Sequence, residues 1–156
     1  MTNVMDGEGL PVPVPDPYTQ PYWDGTANGQ LLVQRCTGCA RWIWQPLPMC
    51  PRCHDVPTWQ QVDGAGTVAS WVVPHPPVLP ALVDVAPYVV LLVELTEGIR
   101  MTGNLVDPSG KLVRAMPGQA PAGLQLEAPV SLRWRQQRGW TLPCWTLNGP
   151  DAGSSR

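Results

Sequence analysis

The chain has 156 residues, 14% of them charged, with 10 Lys and Arg against 12 Asp and Glu and a formal net charge of -2. That length holds one domain, or two very small ones sharing a core, and excludes a large enzyme; the charge balance lacks the basic field that drives phosphate-backbone binding and so disfavours nucleic acid. The 20 prolines favour short strands and turns over long helices, and 8 Trp with no Phe make Trp the main aromatic filler of the core and of any flat contact surface.

In chain order, residues 1–17 alternate Pro with Val and Gly, a composition that prefers solvated, extended backbone, and they are expected to form a flexible tail. The N-terminus has no basic start followed by an apolar run, so it does not read as an export signal. The longest apolar run, YVVLLV at 88–93, is far below the roughly 18 residues of a membrane span. A cytoplasmic protein with no membrane partner is expected. Residues 18–62 form the first module: one helical turn at 21–28 (PYWDGTAN), a strand at 30–35 and a cysteine block ending near Asp55.

Residues 63–148 form the second module. A Gly-punctuated turn feeds a strand at 67–73, and a proline-rich loop covers 75–87. The run 88–95 is unbroken in apolar character, which predicts burial on both faces. Glu97-Gly98 turns it into a hairpin partner at 99–106. A weaker strand is expected at 112–116, a breaker-rich stretch at 117–129, and strands at 130–135 and 140–147. Short strands, Gly turns and no long helix predict a mostly β chain built on a small antiparallel barrel. Residues 149–156 are a second tail.

The motif that carries chemistry is CTGC followed by CPRC, at Cys36, Cys39, Cys50 and Cys53. Thiolates at i and i+3 on a tight knuckle reach one ion, and two knuckles complete a tetrahedral shell. In a reducing compartment such pairs favour a metal over disulfides. A redox dithiol needs only one pair, inside a βαβ pattern this chain lacks. Zinc is the expected ion, with iron as the chemical alternative. A shell closed by four sulfurs leaves no open position for substrate, so the metal is expected to be structural.

The ordered set YWDGTANGQLLVQRC, CTGC, CPRC, GAGTVASWVVPHPP, APYVVLLVELTEGIRMTGNLVD and LPCWTL resembles the acyl-CoA-associated family known as domain of unknown function thirty-five. The resemblance covers residues 22–147. It implies a short N-terminal helix and rubredoxin-like zinc ribbon followed by a five-stranded OB-fold barrel. It also implies a non-catalytic accessory role in a hetero-oligomer with a thiolase-superfamily enzyme: a ketoacyl-CoA thiolase, an acyltransferase or an aldolase that shortens steroid side chains. The chain would help complete or position that enzyme's acyl-CoA site. The family's usual Gly after each Cys pair is replaced here by Ala40 and His54, Cys144 stands where an apolar or aromatic residue is more usual, and 117–130 only loosely resembles the family's Gly-x-x-Val turn.

Other candidates are weighed on their chemistry. Cys144 is a conceivable nucleophile with His54 or His75 as base, against the ordinary reading of an inert buried thiol. His75 lies at a strand exit, where loops carry function. Arg133 and Arg135, with Arg138 nearby, share a strand face opposite Leu132 and Trp134; they are candidates for the phosphates of a coenzyme A thioester shared with the partner, against a solvated outer barrel face. Trp42 and Trp44 share a face and either pack the ribbon on the barrel or anchor a partner. Two other function classes compete: a single-stranded nucleic-acid module and an iron-loaded electron-transfer module.

Overall fold

The computed structural model describes residues 10–75, 79–116 and 118–149. After the short helix α1 (Gln20–Ala27), three strands, β1 (Leu31–Cys36), β2 (Trp42–Ile43) and β3 (Pro57–Val62), form an antiparallel sheet in the order β2-β1-β3. Five more, β4 (Gly66–Val72), β5 (Val90–Leu95), β6 (Arg100–Leu105), β7 (Pro129–Gln137) and β8 (Trp140–Leu147), close into a barrel in the order β4-β5-β6-β8-β7. The described residues are thus mostly β, with one short α-helix and a 3-10 turn at Pro80–Leu82, as the punctuation by Pro and Gly predicts.

Local chemistry sets these elements. The β7–β8 hairpin turns on Arg138 and Gly139, with φ of 49° and 79°, the pair of left-handed residues that matches the twist of flanking strands. The barrel closes where β4 meets β7 at Gly66↔Val130 and Thr67↔Pro129, and where β6 meets β8 in parallel at Asn104↔Cys144 and Leu105↔Trp145. Trp145 fills the interior, fully buried, and its indole N–H donates to the Gly64 carbonyl at 2.9 Å. Gly103 makes room for it: a Cβ there would lie 2.4 Å from the Trp145 ring.

Three expectations are corrected. In β5, Leu91, Val93 and Leu95 are buried while Val90, Leu92 and Glu94 are half-exposed; a barrel wall has an inside and an outside even where both faces are apolar. The strand expected at 112–116 is reduced to the isolated bridges Val106↔Leu112 and Tyr88↔Arg114. The Arg114 guanidinium there donates to the carbonyls of Asp84 and Ala86 at 3.3 and 2.5 Å, tying down the proline-rich loop. Residues 10–17, grouped with a flexible tail, form a strap: Leu10 is buried and its carbonyl accepts from Arg138 Nη1 at 2.8 Å. The remainder of that tail, 1–9, lies outside the described residues, as does 150–156 of the second.

The ribbon and the barrel share one core. Tyr22 of α1 and Leu31, Val33 and Val62 of the small sheet belong to the same buried cluster as Val68, Leu91, Val93, Leu105, Val130 and Trp145 of the barrel. An aromatic row runs through this junction. Trp44 meets Tyr22 at 5.0 Å, Tyr22 meets Trp23 at 4.9 Å, and Trp23 meets Trp140 of β8 at 5.4 Å. Such pairs add about 0.5–1.5 kcal/mol each beyond their buried area. Among the described residues, no helix is long and apolar enough to cross a membrane.

Candidate metal centre

β1 delivers Cys36 to the sheet end, and the chain turns at once. The Cys36 amide donates to the Arg41 carbonyl at 2.9 Å and the Ala40 amide to the Cys36 carbonyl at 3.1 Å. The second knuckle repeats the design: the Cys50 amide donates to Asp55 at 2.9 Å and the His54 amide to Cys50 at 3.0 Å. Each turn requires a left-handed residue just after its second cysteine, and Ala40 and His54 supply it at φ 57° and 64°. The family's missing glycines therefore leave the knuckle geometry intact, at a conformational cost. At Gly38 an added Cβ would meet the Asp55 carboxylate at 1.7 Å, so a side chain there requires the exposed Asp55 to turn away.

The four Sγ atoms lie within 4.8 Å of one another, with Cys36 and Cys50 buried, Cys39 half-buried and Cys53 exposed. Cys36 and Cys53 are 3.2 Å apart and Cys39 and Cys50 3.7 Å. A tetrahedral ion with zinc–sulfur bonds near 2.3 Å sets its sulfurs about 3.8 Å apart, so the donor set fits such an ion. The thiols also show what a cation would resolve. The backbone amides of Arg52 and Cys53 pull the Cys50 thiol down to about 6. At Cys53 a backbone hydrogen bond to Asp55 pulls down, but Cys36, burial, Cys39 and Cys50 together push the thiol up to about 12. Four thiolates this close repel one another unless a dication neutralises them.

The other candidates scatter. His54 is exposed and stands outside the sulfur cluster. His75 is exposed at the exit of β4. Cys144 is buried, its thiol donates to the Arg133 carbonyl at 3.3 Å, and burial pushes it up to about 11 against the opposing pull of Arg135 and Arg133. That is an inert thiol, with neither histidine beside it in the hydrogen-bond pattern. Arg133 and Arg135 share the outer face of β7 but not its surroundings. Arg133 is exposed, whereas Arg135 is buried and donates to Gln137 Oε1 at 2.6 Å, so that face is solvated only in part. Trp44 packs on Tyr22, while Trp42 lies under the Arg35 guanidinium at 5.1 Å; both pack against the core. Sequence reasoning missed β3 and the parts played by Gly38 and Asp55. The only signal for the last two was their position inside and just after the Cys pairs.

Two family models match this chain in tandem: the ChsH2 rubredoxin-like zinc ribbon domain over residues 23–56 and the ChsH2 C-terminal OB-fold domain over residues 59–135. A solved structure described as "Ltp2-ChsH2(DUF35) aldolase" matches at 33% identity and a TM-score of 0.72, covering 87% of this chain and 98% of that one. The chain belongs to the DUF35 family. Within it, the small sheet is the zinc ribbon and the five-stranded ring is the OB-fold. Two curated relatives are hydratase subunits. The "Probable enoyl-CoA hydratase alpha subunit" of Thermomonospora curvata is 38% identical over 115 residues, which are 72% of this chain and 32% of that protein. The "3-oxo-4,17-pregnadiene-20-carboxyl-CoA hydratase alpha subunit" of Mycobacterium tuberculosis is 32% identical over 143 residues, 90% of this chain and 41% of that protein. This DUF35 chain thus spans about a third to two fifths of the length of those relatives.

Proposed function

We propose that the chain is a non-catalytic accessory subunit that binds a thiolase-superfamily enzyme in the cytoplasm and helps complete or position its acyl-CoA site. The observation that carries this reading is the match over 98% of the DUF35 chain in the aldolase structure. The buried Cys144 and the scattered histidines agree with it, since they form no set of acid, base and nucleophile. A ketoacyl-CoA thiolase, an acyltransferase or a steroid side-chain aldolase would supply the reacting groups.

In this reading Cys36, Cys39, Cys50 and Cys53 hold one zinc ion, which ties β1, β2 and β3 together and counts as folding energy. The exposed Arg133 and His75 are the groups available to a coenzyme A moiety held by the partner; Arg135 is too enclosed to reach it.

Co-expression with a candidate thiolase-superfamily enzyme from the same organism tests the proposal. The two chains should co-purify, and thioester turnover should require both. An enzyme indifferent to this chain, or turnover by this chain alone, would refute it. Elemental analysis should return one zinc per chain in colourless protein, and each Cys→Ser substitution should abolish it. Red protein with a reversible reduction wave would point to iron and electron transfer instead.

A further inference from the structure

The four sulfurs of the cage are not equivalent. Cys36 and Cys50 are buried and Cys39 half-buried, whereas Cys53 is exposed. The two buried sulfurs each accept a backbone N–H, from Cys39 at 3.4 Å and from Arg52 at 3.4 Å. Cys53 faces, besides the Asp55 amide, a carboxylate: Asp55 Oδ2 lies 3.8 Å from its Sγ. We propose that Cys53 and Asp55 form the exit of the metal centre, with Cys53 the first sulfur to release the ion and the Asp55 carboxylate hastening that release. This rests on the four-sulfur zinc reading above and adds a path to it.

Charge and geometry both point to this corner. A sulfur bound to the ion is a thiolate, so Asp55 sets a second negative charge against it at a range where like charges repel. A free thiol in the same place donates to the carboxylate instead. The side chain thus opposes the held state of Cys53 and favours the released one. A carboxylate oxygen is also an accepted zinc donor, so Asp55 offers the ion a hold while Cys53 is turned away. The backbone fixes Asp55 in place: its carbonyl accepts from the Cys50 amide at 2.9 Å, and the Thr37 hydroxyl donates to the Val56 carbonyl at 3.0 Å. That segment therefore spans both knuckles. On its other side the carboxylate lies against Gly38, where an added Cβ would overlap Oδ2. Gly38 is not among the left-handed glycines, so its bare Cα serves the approach of Asp55 to Cys53 and not its own backbone.

The test uses the full-length, zinc-loaded chain and reads two things. Brief treatment with iodoacetamide, in which a thiolate forms the carbon–sulfur bond and iodide leaves, is followed by peptide mass spectrometry. Cys53 should be modified ahead of Cys36, Cys39 and Cys50. Transfer of zinc to the chelator 4-(2-pyridylazo)resorcinol, followed by absorbance, should be slowed about two- to fivefold by Asp55→Asn, which keeps the backbone support and removes the charge. Gly38→Ala, which displaces the carboxylate, should slow it in the same direction. The difference between Asp55→Asn and the unmodified chain should shrink in about 1 M salt, where exposed charges are screened; a loss of packing would not respond in that way. The order of modification on the unmodified chain decides the matter even if a variant misfolds. Another cysteine of the cage modified first, equal modification of all four, or transfer from Asp55→Asn that is unchanged or faster would each overturn the proposal and leave the zinc reading intact. A chain that carries no zinc would overturn both.

Discussion

Ala40 and His54 hold left-handed backbone that a residue with a Cβ adopts at a cost of roughly 1–2 kcal/mol. Replacing either by Gly removes that cost but adds backbone entropy to the unfolded chain, about 0.4–1 kcal/mol. Ala40→Gly and His54→Gly should therefore each stabilise the protein by about 0.5–1 kcal/mol, seen as a higher urea midpoint with the metal content unchanged. Loss of metal from His54→Gly would show that the imidazole is a ligand after all. Cys144 gives a second residue-level prediction. Its thiol is raised from 9.0 to about 11 by burial, so the folded state keeps a proton that the unfolded state releases. Its contribution to stability is complete below about pH 9 and is lost as pH rises toward 11. Between those values Cys144→Ala should flatten the fall of the urea midpoint, and a midpoint curve parallel to that of the unmodified protein would contradict this. The cluster of Cys36, Cys39, Cys50 and Cys53 was legible from spacing alone. The enclosure of Arg135 was not, because the strap that helps cover it makes its bond to Arg138 across 128 residues of sequence.

Strands were legible where turn residues bracket them, as at Gly98, and illegible where pairing alone defines them. β3, PTWQQV, has no clean alternation, and it exists because each of its six residues pairs along β1, from Cys36↔Pro57 to Leu31↔Val62. The segment 112–116 shows the converse, with strand-like composition but only single bridges to pair with. Barrel closure depends on β6 and β8 approaching closely at Gly103. Because a Cβ there would sit 2.4 Å from the Trp145 ring and 2.8 Å from the Pro143 carbonyl, Gly103→Ala should destabilise by about 1–3 kcal/mol. Thermal unfolding measures this, and an unchanged midpoint would mean that β8 can shift without penalty.

The division into ribbon and barrel describes the sheets, whereas the core is continuous. Tyr22, Leu31, Val33 and Val62 pack in the same cluster as the barrel interior. Removing the metal should therefore unfold more than the ribbon. On titration with a chelator, the near-ultraviolet dichroism of the buried Trp145 should disappear in the same transition as the ribbon's amide signals. A barrel that keeps its dichroism after the ribbon has melted would show that the two modules are energetically separate. Composition alone could not reveal this coupling, since it arises from side chains that meet only once both sheets are folded.

The row from Trp44 through Tyr22 and Trp23 to Trp140, with successive rings 4.9–5.4 Å apart, also makes the molecule its own optical gauge. Trp23 and Trp140 are the pair in that row that bridges the two modules. Detachment of the ribbon would part these two indoles and remove their exciton coupling, which lets the seating of one module on the other be followed without any attached dye.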